Sequence, residues 1–130
     1  MRKRVSGYNG YMEFFLTDPD VERLAPADTR LLDLRTEPYS DGKRLRVVLV
    51  LTPFMQKPDL ALTLTDPTGE VVATTSIIEP VACRLDLTLH IRKPGVHVGG
   101  AYKLVAILSY PDQGEIDRLD HFVEIPSPTV

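Results

Sequence analysis

The chain has no tryptophan and a single cysteine, Cys83. One thiol cannot close an internal disulfide, so packing must hold the fold together, as suits a reducing compartment. No apolar run approaches the ~18–20 residues of a membrane-spanning helix. The basic start Met1-Arg2-Lys3-Arg4 resembles the head of a signal peptide. Ser6, Gly7, Asn9, Gly10 and Glu13 then interrupt the apolar core such a peptide needs. A cytoplasmic protein with no membrane partner is the expectation. A net charge of -3 gives no basic excess, which argues against nucleic acid as a partner. Several motifs are also missing: a glycine-rich phosphate loop, G-x-S-x-G, HExxH, C-x-x-C and calcium-loop spacing. No catalytic residue, metal or cofactor is therefore expected.

What the chain does have is punctuation. Eleven prolines and eight glycines divide its 130 residues into short segments rich in valine, leucine, isoleucine and threonine. Proline cannot donate to a sheet ladder and is pushed to ends, edges and turns. Short strands at this spacing indicate a sandwich or barrel. At 43% hydrophobic, the chain is long enough for one domain with a sizeable core.

Alternation places the strands. Arg30 to Pro38 is the first, with Leu32 and Leu34 on one face, and Ser40-Asp41-Gly42 turns the chain. Arg44 to Thr52 follows. Leu45, Val47, Leu49 and Leu51 share one face, with Arg44, Arg46, Val48 and Val50 on the other. Asp59 to Thr65 turns inward Leu60, Leu62 and Leu64. Asp66-Pro67-Thr68-Gly69 has the residue order of a type I turn, and Glu70 to Ile78 returns. Val81 to Arg92 alternates most regularly, with Cys83, Leu85, Leu87, Leu89 and Ile91 inward. A helix would scatter these side chains around its axis. After a Gly/Pro connection, Lys93 to Gly100, a central strand runs from Tyr102 to Tyr110. The last, Arg118 to Ile125, has an ambiguous phase that a bulge between His121 and Phe122 would resolve.

Residues 1–28 read as an N-terminal extension, 29–126 as the sandwich and 127–130 as a tail. In the extension, Thr17 to Leu24 has a capping residue, an early proline and acids in the first turn. These predict a short helix stopped by Pro26.

Gly100-Ala101-Tyr102-Lys103-Leu104 resembles the tyrosine corner of immunoglobulin-like and fibronectin type III-like domains. The resemblance covers roughly Arg30 to Pro126. It implies an all-β, immunoglobulin-like two-sheet antiparallel sandwich of about seven strands. The Tyr102 hydroxyl would bond back to the preceding corner, and Leu104 would stand where antibody domains carry a cysteine. The missing tryptophan and paired cysteines separate this chain from antibody domains.

The candidate chemistry is sparse. His90, His97 and His121 are isolated in sequence. Cys83 is in phase with buried leucines and reads as an inert thiol. Asp112, Glu115, Asp117 and Asp120 read as a solvated hairpin, since their spacing fits no metal loop. Two features read as partner-binding surface. One is Phe54-Met55 in the loop Pro53 to Pro58, which otherwise folds back as a cap. The other is Tyr8, Tyr11, Phe14 and Phe15, which are four of the five tyrosines and four phenylalanines together. Tyr8 to Leu16 would cover an outer sheet face marked by Val48 and Val50 or by Val105 and Ile107, within the chain or across a dimer. A non-catalytic protein-interaction or scaffold domain, including self-association, is the leading expectation. A carbohydrate- or small-molecule-binding module is the alternative. An enzyme would have only the carboxylates near 112–120 with His90 or His121 to work with.

Overall fold

The computed structural model describes residues 22–92 and 99–126. These form a two-sheet antiparallel β-sandwich. A 3-10 turn at Pro26–Asp28 precedes seven strands among the described residues. They are β1 (Leu31–Pro38), β2 (Arg44–Leu51), β3 (Asp59–Thr65), β4 (Val71–Ile78), β5 (Arg84–His90), β6 (Gly100–Tyr110) and β7 (Gly114–Ile125). One sheet has the order β1-β2-β5 and the other β4-β3-β6-β7, so β6 is a central strand.

Alternation explains the layering. Leu45, Val47, Leu49 and Leu51 on β2 are fully buried. So are Leu62 and Leu64 on β3 and Leu104, Ala106 and Leu108 on β6. Each large side chain moved from water into this interior contributes roughly 1.5–3 kcal/mol. The expected turns form. Gly69 N–H donates to the Asp66 carbonyl at 2.9 Å, and the Asp66 carboxylate accepts from the Thr68 and Glu70 amides. Gly42, Gly69 and Gly114 have φ of 68°, 91° and 77°, left-handed values that favour glycine.

The structure departs from the sequence reading in four places. Glu22 to Leu24 is not helical, and Pro26 opens the 3-10 turn instead of stopping a helix. Proline suits the first helical position because it has no amide to satisfy there. In β1 a register shift between Leu31 and Asp33 breaks the alternation, so Leu31 and Leu34 are buried while Leu32 is only half-buried. β5 is shorter than expected, its Leu85 and Leu87 are half-buried, and among the described residues no strand pairs with its far edge. β7 starts at Gly114 and has no bulge at His121. The register shift lies between Leu108 and Ser109 on β6, leaving Leu119, His121, Val123 and Ile125 in phase and Phe122 outside.

Candidate functional site

Two seams run where the edges of the two sheets face each other. Along β1 and β7 the seam is closed by side chains. The buried Asp117 carboxylate accepts the Leu31 N–H at 2.9 Å. Thr36 Oγ1 and His121 Nε2 lie 2.9 Å apart and share a hydrogen bond. At one end of the sandwich, the Tyr110 hydroxyl donates to the Gln56 carbonyl at 2.7 Å and meets Thr29 Oγ1 at 3.2 Å. Burial pushes the Tyr110 phenol up from its ordinary pKa, while the Thr29 bond opposes that.

Along β4 and β5 the seam is open. Arg92 N–H donates to the Val72 carbonyl at 2.7 Å, fastening one end. A groove of about 410 Å³ runs between the strands, lined by Val71 to Thr75 on one side and by Thr88, Leu89, His90 and Arg92 on the other. Threonine and alanine are too short to reach across, so the sheets stay apart there.

The outer faces differ as well. On the three-stranded sheet, Arg46 makes a two-pronged pair with Asp86 at 3.0 and 2.5 Å. Arg35 pairs with Asp33 at 2.6 Å, and the Arg44 guanidinium sits 4.2 Å from the Tyr39 ring centre. The Arg46 hydrogen bond holds the Asp86 carboxyl below the usual range. A cleft of about 280 Å³ around Val48 is rimmed by Arg35, Glu37, Arg46 and Arg84. On the four-stranded sheet the central rows carry no charge: Ser76-Ala61-Ile107 and Thr74-Thr63-Val105 lie side by side. The charges gather toward β7, where Asp120 pairs with Arg118 at 2.8 Å and Lys103 at 3.2 Å. In the next row Val71, Thr65, Lys103 and Phe122 follow one another across the sheet.

The expected site residues are scattered over the molecule. Phe54 is only 2% exposed, so it is not available to a partner. The backbone is the cause: Leu24 pairs beside Phe54, with hydrogen bonds from Leu24 N–H to Pro53 O and from Met55 N–H to Leu24 O. That clamp turns the ring inward as a cap and leaves Met55 outside, 70% exposed. Tyr102 and Leu104 are fully buried. The corner before Tyr102 falls largely on residues 93–98, which include His97 and lie outside the described residues, as do Tyr8, Tyr11, Phe14 and Phe15. Val48 is half-buried, and Val50 is buried between its cross-strand partners Asp33 and Arg84. His90 is exposed in the groove, and His121 belongs to the closed seam. Asp112, Glu115 and Asp120 are exposed. Asp117 is not the solvated carboxylate expected, because the chain needs an acceptor for the Leu31 amide. Among the described residues, no three His, Cys, Asp or Glu are placed to hold a metal ion. No described helix is long and apolar enough to cross a membrane. Sequence reasoning missed Val71, Ile78 and Val81 as exposed apolar side chains, and Tyr110 as a clasp. Phe122 outside is one of the two phases that the sequence leaves open for the last strand, and the structure adopts it without a bulge at His121.

No protein-family model matches the sequence, and no curated protein matches it. Several solved structures are similar. A β-glucuronidase from Ruminococcus gnavus in complex with D-glucuronic acid superposes with a TM-score of 0.52 at 16% identity, over 75% of this chain and 16% of that one. A glycosyl hydrolase family 2 member from Bacteroides cellulosilyticus gives a TM-score of 0.54 at 17% identity, over 75% of this chain and 15% of that one. This chain therefore corresponds to a small part of those proteins, and at such identity the likeness establishes the fold alone: a β-sandwich.

Proposed function

We propose that this chain is a non-catalytic sandwich module that works through protein contacts, built on the immunoglobulin-like or fibronectin type III-like plan. The observation that carries this reading is where the exposed apolar side chains lie. Val71, Ile78 and Phe122 are 54%, 66% and 68% exposed, on the strands of the four-stranded sheet. Uncharged central rows connect the strands that bear them. Large apolar groups around uncharged central rows, with charges at the margins beside Asp59, Lys103 and β7, suit a protein surface better than a small ligand. The immunoglobulin-like part rests on the central position of β6 and the burial of Tyr102 and Leu104.

A carbohydrate-binding module is the second reading. Its support is that the similar solved structures include glycoside hydrolases, of which this chain matches a minor part. Against it, Phe54, Tyr102 and Tyr110 are buried and Tyr39 lies under Arg44, which leaves Phe122 as the exposed ring among the described residues. Sugar sites favour aromatic-lined concavities.

Titration calorimetry with D-glucuronic acid and with oligosaccharides, beside affinity recovery of the tagged chain from its native cells, separates the two. Protein contact predicts no heat with any sugar, and recovery of a stoichiometric protein partner, either another protein or an untagged copy of this chain. Saturable sugar binding, or recovery of the tagged chain with neither, overturns it.

A further inference from the structure

We propose that β4 is a self-association edge, along which two copies of the chain pair antiparallel to join their four-stranded sheets into one of eight strands. This rests on the protein-contact reading and names the partner as a second copy.

β4 ends its sheet, so one side of its backbone is not paired with any other described strand. Sheet edges are ordinarily guarded by charge, proline or a bulge. The other three edge strands follow that rule: β1 carries Asp33, Arg35, Glu37 and Pro38, β5 carries Arg84, Asp86 and His90, and β7 carries six ionisable side chains from Glu115 to Glu124. β4 reads Val-Val-Ala-Thr-Thr-Ser-Ile-Ile, with no charge, proline or glycine and with six β-branched residues of eight. Its one register shift lies at the start, opposite Leu64 and Thr65. Such a segment is a template for another strand.

The geometry fits a second copy. Arg92 N–H already occupies the Val72 carbonyl, which leaves Thr74 to Ile78 as the free run. A two-fold axis at Ser76 sets Ser76 against itself, Thr75 against Ile77 and Thr74 against Ile78. Each pair then lies on one face, as antiparallel pairing requires. Thr75 lines the groove, so Ile77 of the second copy would fill part of it. Glu79, just past the strand where a φ of 49° turns the chain out of the extended form, would follow Ile78 to the Val72–Ala73 end of the second copy, where Arg92 is fastened. The two ends of the free run therefore carry opposite charges that antiparallel pairing brings together. A five-residue edge contact is small, so the dimer is weak, with a dissociation constant of roughly 1–100 μM.

Sedimentation of the full chain over a concentration series tests this. The expected mass rises from the 14.5 kDa of one chain toward twice that value. Ser76 is exposed, so S76K and S76E keep the fold, which circular dichroism checks. Each alone sets like charges face to face and weakens the dimer by about tenfold or more, and an equimolar mixture restores it. A wild type that stays monomeric at millimolar concentration overturns the inference, as does an S76K dimer as tight as wild type. A dimer that survives S76K but is lost on deleting residues 1–21 assigns the contact to that segment and also overturns it. None of these outcomes bears on the sugar titration, so the two readings fail separately.

Discussion

The two seams of this sandwich solve one problem in opposite ways. At the β1–β7 seam, side chains bridge the sheets: Asp117 takes the Leu31 amide, and His121 meets Thr36. At the β4–β5 seam a backbone bond from Arg92 to Val72 fastens one end, and short side chains leave a groove along the rest. A polar side chain long enough to cross, and buried enough to need a partner, closes an edge to other chains. Threonine and alanine cannot cross, so the edge beside them stays available. The difference between a closed border and an open one thus comes down to a few inner-row residues.

If side chains hold the closed seam, removing Asp117 should do the most damage. Asp117→Ala leaves the buried Leu31 N–H without its acceptor and is expected to cost about 2–3 kcal/mol in urea unfolding. Asp117→Asn keeps an acceptor oxygen and should cost about half as much. A loss below about 0.5 kcal/mol for the alanine variant would mean that packing, not this bond, closes the border. Tyr110→Phe comes next. It removes the hydroxyl that holds the Gln56 carbonyl and Thr29 while keeping the ring, and about 1–2 kcal/mol should be lost. Thr36→Val is a smaller cut, since Thr36 is only half-buried and water can replace part of what is lost. About 0.5–1 kcal/mol is expected in the same assay.

The sandwich itself was legible because period-two alternation is strong where a strand has one dry face. Leu60-Leu62-Leu64 and Leu45-Val47-Leu49-Leu51 left no other phase. Register shifts were not legible. The break after Leu31 and the one at Leu108 depend on which strand lies opposite, which no local pattern records. Polar residues that turn inward were missed for a related reason. Asp117 reads as one more acid in a charged hairpin until β1 is placed beside it, and Phe54 reads as a loop tip until Leu24 pairs with that loop. The uncharged run of β4 was visible in the sequence from the start. Its meaning depends on β4 being an edge, which follows from its pairing with β3 alone among the described strands.

Cys83 offers the gentlest probe of the fold: it lies just before β5, its carbonyl accepts the Leu51 N–H of β2, and its ionisation changes nothing at neutral pH. It is 1% exposed, and burial pushes its thiol up to about 11 from 9.0, with the nearby Arg23 pulling slightly the other way. A thiol that ionises later when folded favours the fold while neutral. That contribution is complete below pH 9 and disappears as pH rises toward 11, because the unfolded chain gives up its proton first. The wild type should therefore lose stability over this window relative to Cys83→Ala, whatever offset the small cavity introduces. Iodoacetamide at pH 8 should label the folded chain about a hundredfold more slowly than the unfolded one, since thiolate is the reactive form. If labelling instead runs at the unfolded rate while circular dichroism stays native, the start of β5 opens away from β2 while the rest of the sandwich holds.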